Sequence, residues 1–122
     1  MNKLIIIGNL TRKPELRKAP DGTPVCNFTV AVNRRVKDGA HPEADYFHVA
    51  AWRKIGENCA RYLDKGRKVC VVGSVSAHAY NGNDGSVRTS LDVEADDVQF
   101  LTPKGAAEPD EPENELQEDY DG

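Results

Sequence analysis

The sequence lacks the features by which membrane-spanning and secreted proteins are identified. No apolar run approaches the roughly 20 residues that a membrane-spanning helix needs, and the mean hydropathy is -0.62. The apolar opening at residues 4–7 is broken by Gly8 and Asn9, which is typical of a strand and not of a signal peptide. We therefore expect a cytoplasmic protein that does not associate with membranes.

Cysteine pairs are also missing. The three cysteines, Cys26, Cys59 and Cys70, lie far apart, each within an apolar pattern, and none forms a Cys-x-x-Cys motif. We expect reduced, buried thiols rather than disulfides. The three histidines show no ligand spacing with the cysteines, so the sequence predicts no metal site.

Catalytic motifs are absent from the sequence. No glycine-rich phosphate loop precedes a helix, and no serine lies in a nucleophile elbow. The acids Asp92, Glu94 and Asp96 would suit a metal-dependent nuclease, but they alternate with apolar residues. That alternation is typical of the solvent face of a strand. We expect no catalytic residues and no cofactor.

Basic residues are missing from the C-terminal end. Residues 108–122 hold eight acids and no bases, while residues 1–107 hold 16 bases and 12 acids, a net charge of +4 against -4 for the whole chain. An acidic, proline-containing segment buries too little apolar surface to offset its ordering entropy. We expect residues 1–103 to form one basic domain and residues 104–122 a disordered acidic tail.

Short strands and one helix are predicted for the body. Apolar alternation indicates strands at residues 3–10, 27–33, 46–52, 69–79 and 87–93, the last resuming at 98–101. Helical spacing predicts a helix over residues 54–64, capped by Gly66. This order is that of a five-stranded OB-fold barrel with one helix between strands 3 and 4. Core packing is expected for Phe28, Phe47, Tyr62 and Phe100.

The strand at residues 46–52 carries the strongest functional signal. Alternation sends Phe47, Val49 and Ala51 to one face, and Tyr46, His48, Ala50 and Trp52 to the other. An exposed aromatic face beside Arg53 and Lys54 would suit single-stranded nucleic acid, because bases stack on rings and phosphates need cations. The alternative is that both faces of the strand are buried.

Five segments together resemble the bacterial-type single-stranded DNA-binding proteins. The matching pieces are NKLIIIGNL (2–10), PELR (14–17), NFTVAVN (27–33), YFHVAAWRK (46–54) and YLDKGRKVCVVG (62–73). Their order and spacing are specific, and the resemblance runs from residue 2 to about residue 101. It implies an OB-fold, a homotetramer, and sequence-independent binding of single-stranded DNA in replication, recombination and repair, in the cytoplasm and associated with the nucleoid.

The resemblance also implies a set of DNA-binding residues. The family's stacking positions match Tyr46, Trp52 and Tyr80, and a fourth falls at Val36, which has no ring. The predicted phosphate contacts and basic positions are Arg34, Arg35, Lys37, His48, Lys54 and Lys65. The segment before Tyr80, residues 76–79, is poorer in cations than in well-known members, which predicts weaker or more selective binding.

The tail departs from the family as well. Family members commonly end in an acidic peptide with an apolar Pro-Phe tip that docks replication and repair proteins, whereas this sequence ends Glu-Asp-Tyr-Asp-Gly. Two other functions stay open, the first of them suggested by the acidic tail and by the few cations before Tyr80. One is an OB-fold replication-restart or adaptor module that acts mainly through protein partners, and the other is an RNA-binding OB-fold.

Overall fold

The computed structural model describes residues 1–34 and 43–101. They form a mainly β fold with six strands and one helix. In chain order the elements are β1 (Leu4–Leu10), β2 (Glu15–Lys18), β3 (Pro24–Asn33), β4 (Ala44–Trp52), α1 (Arg53–Tyr62), β5 (Lys68–Asn81) and β6 (Val87–Phe100). Among the described residues, no helix is both long and apolar enough to cross a membrane.

Five of these strands pair in a closed ring. The order runs β1–β5–β6–β4–β3, and β3 pairs again with β1. All pairings are antiparallel except β4 with β6, which are parallel. Strand β2 lies outside the ring and pairs only with β3, so β4 and β5 are the third and fourth strands of the ring. Helix α1 lies between them in the chain, and the predicted five-stranded arrangement is therefore confirmed.

Gly8 allows β1 to close the ring. Strand β1 pairs with β5 along most of its length and with β3 at Asn9 and Leu10. A β-carbon on Gly8 would overlap the carbonyl oxygen of Ala31 on β3. Only glycine lets the two backbones approach this closely without displacement.

Strand β2 was not predicted, because its four residues are all exposed and show no apolar alternation. The last strand also differs from the prediction, since β6 is continuous from Val87 to Phe100. Its register against β5 shifts by one residue at Val72 and Gly73, so that Asp96 is an extra residue. This β-bulge explains the interrupted alternation at Asp96 and Asp97.

Helix α1 ends two residues before the predicted boundary. The helix cap falls at Leu63, whose backbone N–H bonds to the Cys59 carbonyl, so the prediction of a Gly66 cap is wrong. Gly66 does have the positive φ of 86° expected of glycine, but it lies in the turn leading to β5 and donates to the Leu10 carbonyl. A ten-residue helix is marginal alone; Cys59 and Leu63 anchor it in the core.

The core fills the ring. Val30, Val49, Val69, Val71 and Val93 are its largest fully buried aliphatic side chains. Phe28 is buried and Phe47 packs against the core, as predicted.

Core packing is the wrong prediction for Tyr62 and Phe100. They are 54% and 42% exposed, and their rings pack against each other with centroids 6.2 Å apart. Cys26 and Cys59 are buried, but Cys70 is only partly buried, which corrects the prediction for that thiol.

Candidate nucleic-acid interface

The outer face of β4 is the centre of the candidate site. Tyr46 is 56% exposed and His48 is exposed, while Val49 and Ala51 are buried on the other side. The predicted alternation is therefore confirmed, and the alternative of a strand buried on both faces is wrong. Because side chains two residues apart share a face, the aromatic positions of β4 lie on one surface with His48 between them.

Neighbouring strands extend this surface with polar side chains. Thr29 on β3, His48 on β4, Asp92 on β6 and Ser76 on β5 are direct partners across four adjacent strands. The His48 ring is hydrogen-bonded to the Thr29 hydroxyl at 3.2 Å between Nδ1 and Oγ1. The sequence did not show this cross-strand row, because it depends on strand register.

Trp52 lies at the end of β4, opposite Val25 on β3. It is partly buried, and its Nε1 is a buried donor without a hydrogen-bond partner among the described residues. Trp52 therefore offers a half-covered ring and not a free-standing platform, which limits stacking to the part of the ring that is exposed.

Tyr80 lies on the hairpin formed by β5 and β6. It follows Ser76 and His78 at two-residue intervals, so it shares their face of β5, and it is 50% exposed. Its partner across the hairpin is Arg88, whose guanidinium lies 3.3 Å from the Asp84 carboxylate. The structure thus places all three predicted stacking residues on one side of the sheet.

Arg34 is held by two carboxylates. Its Nε donates to Asp45 Oδ1 at 2.9 Å, and its Nη1 donates to Glu43 Oε1 at 3.1 Å. The Asp45 carboxylate also raises the pKa of the Arg34 guanidinium above its ordinary value. A phosphate must compete with these acids for Arg34, which sequence reasoning did not reveal.

Two other predicted cations, Lys54 and Lys65, are not on the strands that form the cross-strand row. Lys54 is on α1, where it lines a shallow cleft with Leu16, Glu57 and Arg61. Lys65 is exposed in the turn after α1. The predicted residues Arg35 and Lys37, like Val36, lie outside the described residues.

A cleft beside the row brings in cations that sequence reasoning missed. Its volume is about 750 Å³, and Arg12, Lys13 and Arg17 line it together with Thr29 and His48. Arg12 and Lys13 are exposed in the loop between β1 and β2. The signal available in the sequence was the run Arg-Lys-Pro at residues 12–14, in the loop after the first strand. The loop between the first two barrel strands is a usual ligand-binding position in OB-folds.

The surface has the chemistry to bind a flexible polyanion with flat bases. Rings on β4 and β5 provide stacking surfaces, and the cleft residues provide positive charge for phosphates. Asp92 and Glu94 on β6 place negative charge on the same face. Among residues 1–34 and 43–101, no three histidine, cysteine or acidic side chains cluster as a metal site would require.

Comparison with known proteins agrees with this chemistry. A family model described as the single-strand binding protein family matches residues 1–101. A single-stranded DNA-binding protein of Caldanaerobacter subterraneus is 42% identical over 125 residues, covering 99% of this chain and 83% of the relative. Single-stranded DNA-binding protein 2 of Clostridium acetobutylicum is 43% identical over 102 residues, covering 83% of this chain and 77% of the relative.

Proposed function

The chain belongs to the single-strand binding protein family, and we propose that it binds single-stranded DNA without sequence dependence and without catalysis. The observation that carries the proposal is the shared outer face of Tyr46, His48 and Trp52, continued by Tyr80 on the neighbouring hairpin. Relatives that cover most of this chain are named for single-stranded DNA binding. Exposed aromatic rings tolerate any base, because every base has a π-face.

The strand of DNA crosses the sheet over β4. Bases stack on Tyr46, Tyr80 and the exposed part of Trp52. Phosphates are neutralised by Arg12 and Lys13, whose loop borders the cleft. Further positive charge comes from residues at the margins and in the segment after β3: Arg34, Arg35, Lys37, Lys54 and Lys65. His48 supplies a hydrogen bond.

The proposed biological role is to coat transient single strands in replication, recombination and repair, in the cytoplasm and at the nucleoid. Family membership and the three free thiols support this placement. We also propose the division into a DNA-binding domain at residues 1–103 and an acidic tail at 104–122. The extent of the family match, residues 1–101, and the charge contrast support that division.

A homotetramer is proposed as well, and an apolar outer patch supports it. Ile5 and Ile7 on β1 are 64% and 49% exposed, and they pair directly with Val72 and Cys70 on β5. Neither β1 nor β5 pairs with β4. Light scattering of Ile5→Lys at several concentrations tests the proposal: dissociation supports assembly through the patch, and an unchanged oligomer contradicts it.

A protein-adaptor role is the second candidate, favoured by the ion pairs that engage cations of the body, including Arg17 with Glu15 and Arg34 with Asp45. Removing residues 108–122 separates the two functions. A DNA-coating protein retains or gains DNA affinity, because the acidic tail only competes for the basic surface. An adaptor loses its protein partner and changes little in DNA binding.

The direct test is fluorescence anisotropy with labelled oligomers of equal length. The proposal predicts strong binding to single-stranded DNA, weaker binding to matched RNA, and little binding to duplex DNA, where stacked bases are inaccessible. Preference for RNA would indicate a groove that recognises the 2′-hydroxyl. Absence of binding to any oligomer at low salt would overturn the proposed function.

A further inference from the structure

Asp92 is an acid in the middle of a surface proposed to bind a polyanion. It is paired with His48 on one side and with Ser76 on the other. Its Oδ1 accepts from the Ser90 hydroxyl at 3.3 Å, and its Oδ2 lies 3.6 Å from His78 Nε2. The carboxylate side chain is 42% exposed, so it is held in position while still accessible to a ligand.

The position of Asp92 puts it within reach of bases that stack on β4. Adjacent strands lie about 4.8 Å apart, and residues two apart on one strand are separated by about 7 Å. Asp92 is one strand from β4 and level with His48, which lies one such step from Tyr46. A base stacked on Tyr46 can therefore turn an edge towards the Asp92 carboxylate.

An ionised carboxylate can only accept hydrogen bonds. Cytosine, adenine and guanine present amino groups that donate to such an acceptor, whereas thymine presents a carbonyl oxygen at the position where cytosine carries its amino group. Thymine has one donor on its free edge, N3–H, but it lies between two carbonyl oxygens that repel a carboxylate, so Asp92 should favour the first three bases over thymine. Four lone-pair sites on the carboxylate leave capacity for a base after the Ser90 hydroxyl is bound.

We propose that Asp92 biases the interface towards bases that carry an exocyclic amino group and against thymine. The inference rests on the proposed single-stranded DNA binding and adds a base preference to it. The sequence-independent part of binding comes from the rings and the cleft cations. Asp92 lines the same cleft as Arg12 and Lys13, so its carboxylate lies beside the cations proposed to hold phosphates, and the experiment must separate base selection from repulsion of phosphate.

The experiment compares oligo-dC and oligo-dT of equal length at pH 8, where cytosine is neutral, using wild type and Asp92→Asn. The amide introduced by this substitution both donates and accepts hydrogen bonds, so it suits either pyrimidine. We expect the ratio of dC affinity to dT affinity to fall about three- to tenfold in the variant. Asp97→Asn is the matched control, because it removes the same charge from β6 at a position paired with Val72 instead of a β4 residue.

The outcomes separate the two proposals. A fall in the ratio for Asp92→Asn with no change for Asp97→Asn supports base selection by Asp92. Equal gains for both oligomers would show that Asp92 only repels phosphate and would overturn the inference while leaving the proposed function intact. An unchanged ratio and unchanged affinities also overturn the inference. If wild type binds neither oligomer, the proposed function fails first.

Discussion

Arg34 and Asp45 form an ion pair beside the proposed DNA path. Arg34 Nη2 lies 2.8 Å from Asp45 Oδ1, and Asp45 immediately precedes Tyr46 in the sequence of β4. The pair is half exposed, and exposed pairs of this kind contribute only about 0–1 kcal/mol. A phosphate can therefore displace Asp45 from Arg34 at a small cost in free energy. The ion pair weakens the binding of phosphate to Arg34 but does not prevent it.

Asp45→Asn should strengthen DNA binding by about two- to fivefold at low salt, because it frees Arg34 from one competing carboxylate. Anisotropy titrations with oligo-dT measure the change. Asp96→Asn is the control, because it frees Lys3 from an exposed ion pair in the same way. Asp96 is not one of the β6 residues that pair with β4. A gain in affinity for the control as large as for Asp45→Asn would show a general charge effect instead of a role for Arg34.

Tyr46→Ala should weaken binding to oligo-dT by about 1 kcal/mol or more, the contribution expected of one stacked base. Tyr62→Ala provides a close comparison, because Tyr62 is equally exposed but packs beside Phe100 at the helix. We expect little change for Tyr62→Ala. Equal losses from both tyrosines, or none from Tyr46, would contradict stacking on β4.

Lys13→Ala should reduce the salt dependence of binding. Each phosphate neutralised on single-stranded DNA contributes about 0.7 to the slope of log affinity against log salt. Lys13 lines the cleft beside His48, whereas Lys18 is an exposed lysine at the far end of β2, opposite Pro24. Titrations at four salt concentrations should show a shallower slope for Lys13→Ala and the wild-type slope for Lys18→Ala. The reverse pattern would exclude the cleft as the place where phosphates bind.

Cys26 and Cys59 should resist alkylation in the folded protein. Burial raises the pKa of the Cys26 thiol to about 11 and that of Cys59 to about 12, so both remain protonated at pH 8, and the thiolate is the reactive form. Iodoacetamide followed by mass spectrometry should find these two thiols unmodified in buffer and modified in urea. Rapid modification of Cys59 in buffer would show that α1 opens readily.

Much of the fold was predictable because it follows from local alternation. The pattern at β4 identified which side chains face outwards, and the position of the helix between strands followed from the change in apolar spacing. Strand β2 was missed because its four exposed residues carry no such pattern. The bulge at Asp96 and the exposure of Tyr62 and Phe100 depend on the register between whole strands. A short stretch of sequence does not contain that information.

The site was predictable in its rings and less so in its charges. Tyr46, Trp52 and Tyr80 follow from strand alternation and from the family resemblance. The pairing of Arg34 with Asp45 and the contact of Asp92 with His78 depend on side chains brought together by strand pairing and loop closure. The cleft cations Arg12 and Lys13 belong to a loop. The sequence shows that they are charged but does not show which way their side chains point.

The most direct test of single-stranded DNA binding through β4 uses Trp52, the sole tryptophan. Its fluorescence is followed while oligo-dT is added at several salt concentrations. Binding through this face predicts saturable quenching and an affinity that falls as salt rises, because a base reaches the ring and phosphates release counterions. Fluorescence that does not change at low salt, while anisotropy of a labelled oligomer reports binding, would show that DNA binds elsewhere on the protein.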